Sequence, residues 1–306
     1  MPAAIGSSAM KQWRLVLPLG FMFIAAVTTA QQLPTAENSD RAAPSRLNQD
    51  AYAEHVAKLR EQLNGKSFHI FIERPFVVVG DESAQKVAAR TESTIRWAVQ
   101  HLKKTYFAND PDHIITIWLF KDKESYETHC EELFAMKPTT PFGFYSSTKR
   151  ALIMNISTGG GTLVHEIVHP FIAANFPDCP AWFNEGLASL YEQCGEENGV
   201  MVGYTNWRLR GLQLAIEKGS VPSFENMMQT SQREFYDDDP GTNYAQARYL
   251  CYYLQEQGKL VDFYRAFVKN ASVDGTGKRT LKQILGTNNL AEFQRDWEAY
   301  VSQLKF

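Results

Sequence analysis

The sequence predicts an α+β fold, with strands and helices in the N-terminal half and helices in the C-terminal half. Short runs rich in β-branched and aromatic residues lie before residue 160, with lengths typical of strands. Segments with a helical period separate these runs, and after residue 160 nearly every segment has a helical pattern. At 306 residues the chain is long enough to bury a substantial core.

The first predicted element is a helix at 49–63, with Tyr52, Val56 and Leu59 on one face. The strands that follow are assigned from apolar, β-branched runs, and the helices from their longer periodic stretches. They are strands at 67–73 and 76–80, a helix at 83–106, a strand at 113–120, a helix at 123–134, and strands at 142–147 and 151–157 that flank a turn at 148–150.

The N-terminus has the pattern of a secretory signal. Lys11 and Arg14 precede the apolar run LVLPLGFMFIAAV, and small residues follow it. The run is about 13 residues long, shorter than the roughly 20 that a membrane span needs. We therefore expect a signal peptide at 1–30, cleaved after Ala30, with an uncleaved signal anchor as the alternative. Cleavage would leave a secreted or periplasmic protein with no membrane association.

Residues 31–47 are polar, contain two prolines and show no apolar period, so we expect a flexible linker there. The remaining residues, 48–306, are predicted to form one domain. The formal net charge is -3, and no stripe of Lys and Arg with interleaved aromatic residues occurs. Nucleic acid is therefore not an expected partner.

The segment HEIVH contains the strongest candidate for a metal site. Residues four apart in a helix project from the same face, so His165 and His169 could bind one Zn²⁺ ion. Glu166 would lie beside the metal, where it can take a proton from a water molecule. The alternative is that both histidines are core residues with hydrogen-bond partners.

A third ligand is needed to support the metal hypothesis. Ile172 and Asn175 stand where a metzincin has Gly and His, and no histidine follows His169. The segment PAWFNEGLASLYE (180–192) supplies a carboxylate, Glu185, within an otherwise apolar predicted helix. Such a carboxylate is costly to bury unless it is paired or binds a metal. The small residues beside it would let this helix lie close to the histidine helix.

These two segments together resemble the gluzincin zinc peptidases. In the aminopeptidase branch, H-E-x-x-H is followed by a W-x-N-E-G-[FL]-A-S helix, and residues 182–189 match that helix. The resemblance implies that His165, His169 and Glu185 bind zinc in a cleft between an N-terminal α+β half and a helical C-terminal half. The interval at 170–184 is shorter than in aminopeptidases and is more similar to the peptidase-MA-like domains of secreted bacterial proteins.

The resemblance also implies a mechanism. Glu166 would be the general base for a zinc-activated water that attacks a peptide carbonyl. The aminopeptidase branch has a tyrosine in Y-x-K-G that stabilises the oxyanion, and Tyr244 occupies a comparable position here. Gln246 and Ala247 replace the lysine and glycine of that motif.

The expected substrate is a peptide or protein. Gluzincins bind the substrate backbone along an edge strand before the zinc helix, and residues 151–161 occupy that place. Aminopeptidases have a glutamate there, but this chain has no acidic residue between Glu132 and Glu166, which favours an endopeptidase. An acid from 237–239 could substitute. The other hypotheses are a non-catalytic domain that binds peptide or cell-wall polymer, and zinc-dependent hydrolysis of another bond.

The four cysteines do not contribute to the predicted metal site. Cys179 and Cys194 lie at the two ends of the predicted Glu185 helix, about 20 Å apart, so they should not form a disulfide with each other. Other pairings remain open.

Overall fold

The computed structural model describes residues 47–138, 140–237 and 242–306. The predicted signal peptide and the linker up to residue 46 lie outside the described residues. The described chain is a mixture of helices and a mixed five-stranded sheet, which confirms the predicted α+β class.

The first half of the described chain contains the whole five-stranded sheet. Its elements are α1 (Gln49–Gln62), β1 (His69–Glu73), β2 (Phe76–Gly80), α2 (Ala84–Arg90), a π-helical segment (Thr91–Arg96), α3 (Trp97–Thr105), β3 (Ile115–Phe120), α4 (Lys123–Phe134), β4 (Gly143–Ser146) and β5 (Ala151–Asn155). The predicted helix at 83–106 is therefore confirmed, with a π-helical stretch in its middle.

The second half is mainly helical. Its elements are α5 (Gly160–Asn175), α6 (Ala181–Leu190), β6 (Cys194–Glu197), β7 (Val200–Gly203), α7 (Arg208–Glu217), α8 (Phe224–Gln229), α9 (Gln232–Asp237), α10 (Thr242–Glu256), α11 (Leu260–Asn270), α12 (Lys278–Leu285) and α13 (Leu290–Gln303). The β6–β7 hairpin was not predicted. Its turn is formed by Asn198 and Gly199, which have φ of 51° and 75°, and an Asn-Gly pair is a typical hairpin signal.

The strand order of the sheet is β1-β2-β3-β5-β4. Strands β2, β3 and β5 are parallel, and the outer strands β1 and β4 are antiparallel to their neighbours. Because β5 lies between β3 and β4, the expectation that 151–161 contains the edge strand is wrong. The β4–β5 hairpin places β4 outside β5, at the edge of the sheet. Of the two edge strands, β4 is also the one closer to α5 in the sequence.

Helices cover both faces of the sheet. Along β3, Ile117 and Leu119 point into the cluster formed with α2, α3 and α5, whereas Trp118 and Phe120 point into the cluster formed with α1 and α4. A strand that is buried on both faces needs apolar residues at every position. This explains why the central strands are nearly continuous apolar runs. A 3-10 turn at Ile156–Thr158 connects the carboxyl end of β5 to α5.

Candidate metal centre

Helix α5 carries both histidines of the HEIVH segment. Gly159 precedes the helix with φ of 109°, a conformation that favours glycine. The apolar residues of α5 are buried in the core, and this fixes the rotation of the helix. His165 and His169 then lie one turn apart on the same side, with ring centroids 4.8 Å apart.

Helix α6 brings Glu185 to the two histidines. The chain turns between α5 and α6, and every residue of α6 except the half-buried Asn184 is buried. Glu185 Oε2 lies 3.2 Å from His165 Nε2, and Glu185 Oε1 lies 3.8 Å from His169 Nε2. The carboxylate therefore faces both imidazole rings from the neighbouring helix.

The three side chains form a group that could hold a metal ion. One ligand atom from each of His165, His169 and Glu185 lies within 4.8 Å of the others. Glu185 is only 5% exposed, and its Oε2 receives no well-aligned hydrogen bond from any residue in the described ranges. A buried carboxylate oxygen without a donor is costly, and a metal ion at this point would satisfy it. The residues present therefore fit a metal.

The far side of each imidazole ring faces a side-chain oxygen. His169 Nδ1 lies 2.9 Å from Asn184 Oδ1, and His165 Nδ1 lies 3.3 Å from Glu192 Oε1. The contact of His169 holds a proton on its Nδ1 and leaves the Nε2 lone pair for a metal, whereas the contact of His165 within the described ranges is too poorly aligned for a hydrogen bond. Both Nε2 atoms point towards Glu185, as this arrangement requires.

Glu192 is itself firmly held. Arg208 donates two hydrogen bonds to it, Nε to Oε2 at 2.9 Å and Nη2 to Oε1 at 2.7 Å. Asn206 Nδ2 donates a third to Oε2 at 3.1 Å. Burial disfavours the Glu192 carboxylate, but the hydrogen bonds from Arg208 and the charge of His165 outweigh burial and lower its pKa to about 2. This role of Glu192 was not predicted, although Glu192 ends the same apolar segment as Glu185.

Tyr236 supplies a second contact that the sequence analysis missed. Its hydroxyl donates to Glu185 Oε1 at 2.7 Å. Tyr236 belongs to α9, more than forty positions after Glu185 along the chain, and no local pattern connects the two residues. Only the packing of α9 against α6 brings them together.

The charges of the metal-free group stabilise one another. Burial opposes a charged His165, but Glu185 and Glu192 outweigh it and raise its pKa to about 10. Burial likewise opposes a charged Glu185, yet the charges of His169 and His165 outweigh it and lower its pKa to about 2. Without a metal, His165 is therefore a cation between two carboxylates at neutral pH.

A cavity of about 580 Å³ opens beside the group. Glu166 and Tyr244, the two predicted catalytic residues, both line this cavity together with His165. The other lining residues come from the sheet edge, from around the start of α5, from just after α6 and from the start of α7: Thr140, Phe142, Gly143, Thr158, Thr162, Glu192, Trp207 and Arg208. The cavity thus adjoins the metal group and the proposed base.

Tyr244 lies at the first turn of α10, and its environment is partly aromatic. The ring centroids of Phe235 and Tyr236 are 5.4 Å and 6.2 Å from that of Tyr244. The Arg208 guanidinium lies 5.3 Å from the Tyr244 ring centroid. Tyr244 therefore lies near the metal group, but the hydroxyl that donates to Glu185 belongs to Tyr236.

Gly186, one of the small residues beside Glu185 in α6, has a different role from the predicted one. A Cβ atom on Gly186 would lie 2.9 Å from the backbone oxygen of Ala247. Gly186 therefore lets α6 approach α10, and the expectation that it serves the contact with the histidine helix is wrong.

The sequence also led to expectations about the four cysteines and about the acidic stretch at 237–239. All four cysteines are free, and none belongs to the metal group. Asp237 ends α9, whereas residues 238 and 239 lie outside the described residues. No helix in the described ranges is long and apolar enough to cross a membrane.

No family model matches the chain, and no curated protein matches it. The function must therefore be inferred from the residues of the site.

Proposed function

We propose that this protein is a zinc metallopeptidase of gluzincin type and that it acts as an endopeptidase, which hydrolyses internal peptide bonds. The observation that carries the proposal is the convergence of His165, His169 and Glu185 beside a cavity that Glu166 also lines. Two imidazoles and one carboxylate are the ligand set of catalytic zinc sites with an open fourth position.

Each residue has a proposed task. A zinc ion bound here would acidify a water molecule and polarise the peptide carbonyl. Glu166 accepts the proton of the attacking water as the new C–O bond forms, and it delivers that proton to the amine nitrogen as the C–N bond breaks. The Tyr244 hydroxyl donates to the oxyanion that develops on the carbonyl oxygen.

The edge strand β4 is the proposed binding site for the substrate backbone. Phe142 and Gly143, at the start of β4, line the cavity, and in the described sheet β4 is paired only with β5. Its other edge can therefore pair with an extended peptide. Binding of the substrate along β4 replaces the expectation that the peptide binds along 151–161.

The acidic side chains that line the cavity favour cleavage at internal peptide bonds. Two acidic side chains of the described residues line it, Glu166 and Glu192. Glu192 is bound by Arg208 and Asn206, and Glu166 is the proposed base. Neither is then available to bind the free amine of a substrate, as an aminopeptidase requires. The proposed signal peptide at 1–30 would direct this activity to the outside of the cytoplasm.

The test is a peptide-library digest with mass-spectrometric readout, performed with the purified full chain, with and without a zinc chelator. We expect cleavage at internal peptide bonds that the chelator abolishes and added zinc restores. Removal of terminal residues only would contradict the endopeptidase assignment. Peptide binding without cleavage by the zinc-loaded protein would contradict catalysis and favour the non-catalytic binding domain.

A further inference from the structure

The two oxygens of the Glu185 carboxylate have different surroundings. Oε1 accepts a hydrogen bond from the Tyr236 hydroxyl at 2.7 Å. Oε2 has no well-aligned donor within the described ranges, although it is the oxygen closer to a histidine nitrogen, 3.2 Å from His165 Nε2. A hydrogen bond to one oxygen of a carboxylate orients the group and weakens that oxygen as a metal ligand.

The position of Tyr236 is fixed by its neighbours in the structure. Phe235, the preceding residue, is fully buried, and its ring contacts those of Tyr236 and Tyr244. Tyr236 itself is 43% exposed, so its side chain adds little to the core. Its one polar contact in the described part of the chain is Glu185 Oε1. This combination is typical of a residue that orients a functional group.

Tyr236 and Tyr244 face different groups. Tyr244 lines the cavity where a substrate would lie, and Tyr236 is not among the described residues that line it. The hydroxyl of Tyr236 reaches the ligand carboxylate instead. The two adjacent tyrosines are therefore suited to different tasks, one towards the substrate and one towards the metal ligand.

We propose that Tyr236 is a positioning residue that makes Glu185 bind the metal through Oε2 alone. This inference rests on the proposed function, because it concerns the same metal group. A glutamate can bind a metal through one oxygen or through both. With Oε1 held by Tyr236, Glu185 occupies a single coordination position and leaves room for the reacting molecule.

The test compares Tyr236→Phe with Tyr253→Phe in the full chain. Both variants lose one phenol hydroxyl in the helical half, and the Tyr253 ring packs against Phe293 and Tyr300, away from the metal group. Zinc affinity is measured by competition with a chromophoric chelator. The visible absorption spectrum of the cobalt-substituted protein reports the number and geometry of the ligands without any turnover.

We expect Tyr236→Phe to lower zinc affinity about tenfold, at the lower end of the range for lost outer contacts. Its cobalt spectrum should change towards a higher coordination number, because both oxygens of Glu185 become available. Tyr253→Phe should match the wild type in both measurements. Tyr236→Phe should slightly lower the melting temperature of the metal-free protein, because the buried Glu185 carboxylate loses a hydrogen bond.

A cobalt spectrum of Tyr236→Phe identical to that of the wild type would overturn the inference, whatever the zinc affinity. That result would leave the proposed function standing, since wild-type zinc binding would be intact. A wild-type chain that binds neither zinc nor cobalt would overturn the proposed function and this inference together.

Discussion

Gly161 packs directly against the backbone of Glu192. A Cβ atom at position 161 would collide with the Glu192 carbonyl oxygen. The first turn of α5 therefore touches the chain just beyond α6, and Glu192 in turn contacts His165. The distance between the histidine helix and the glutamate helix thus depends on a residue without a side chain.

Gly161→Ala should destabilise the protein and weaken its metal site, because the two segments must separate to admit the methyl group. Overpacking of this kind costs about 1–3 kcal/mol in the free energy of unfolding. Gly160→Ala is the matched control, since its Cβ would meet only Thr94 at 3.4 Å. Urea denaturation of the metal-free proteins measures the difference, and equal midpoints for the two variants would contradict this close contact.

Glu185→Ala should abolish stoichiometric zinc binding. The wild type is expected to bind about one zinc per chain through three protein ligands, and two imidazoles alone bind much more weakly. Elemental analysis after dialysis against a weak chelator measures the metal content. Glu225→Ala, a change at an exposed glutamate paired with Lys278, is the control and should keep its zinc. Full zinc occupancy in Glu185→Ala would exclude Glu185 as a ligand.

Glu166→Gln should retain zinc and the fold but lose nearly all hydrolysis. The amide keeps the shape of the side chain and cannot accept the proton of the attacking water. Zinc content, melting temperature and the rate of cleavage of a peptide found in the library digest are measured together, with Glu225→Gln as the control. A variant that cleaved at the wild-type rate would show that another residue is the base.

Tyr244→Phe should lower kcat by a factor on the order of 10²–10³ with little change in KM, as expected for a donor that acts in the transition state. Tyr253→Phe is the appropriate control. Tyr249→Phe is not, because the Tyr249 hydroxyl accepts a hydrogen bond from the backbone N–H of Asn206, which holds Glu192. Near-wild-type kcat for Tyr244→Phe would leave the oxyanion without an assigned donor.

Zinc binding should release protons at neutral pH. The raised pKa of His165, about 10, means that the metal-free protein holds a proton there at pH 7, and a zinc ligand must be neutral. This proton stabilises the metal-free fold fully below the unfolded value of about 6.5, and the stabilisation is lost as pH rises through about 10. Zinc affinity should therefore increase with pH over that range.

Calorimetric titration with zinc in two buffers of different ionisation enthalpy measures the release, which should be about one proton per zinc at pH 7. Equal apparent enthalpies in the two buffers would show that His165 is already neutral in the metal-free protein.

Several features of the fold could be predicted because they depend on short stretches of chain. The bounds of α4 and the β4–β5 hairpin follow from local periodicity and turn residues. The β6–β7 hairpin could also have been predicted from Asn198 and Gly199, but the apolar segments around it were assigned to helices. The position of β4 at the sheet edge could not be predicted, because strand order depends on pairing between distant segments.

The spacing of His165 and His169 matches the helical period, so the residues alone predict that the two side chains share one face of a helix. The sequence also indicated Glu185, since a carboxylate in an apolar helix needs a partner. The surroundings of these three residues depend on tertiary packing. Glu192 at His165, Tyr236 at Glu185 and the cavity beside Glu166 all arise where separate elements pack together. No local rule encodes such contacts, because their geometry depends on the packing of the whole core.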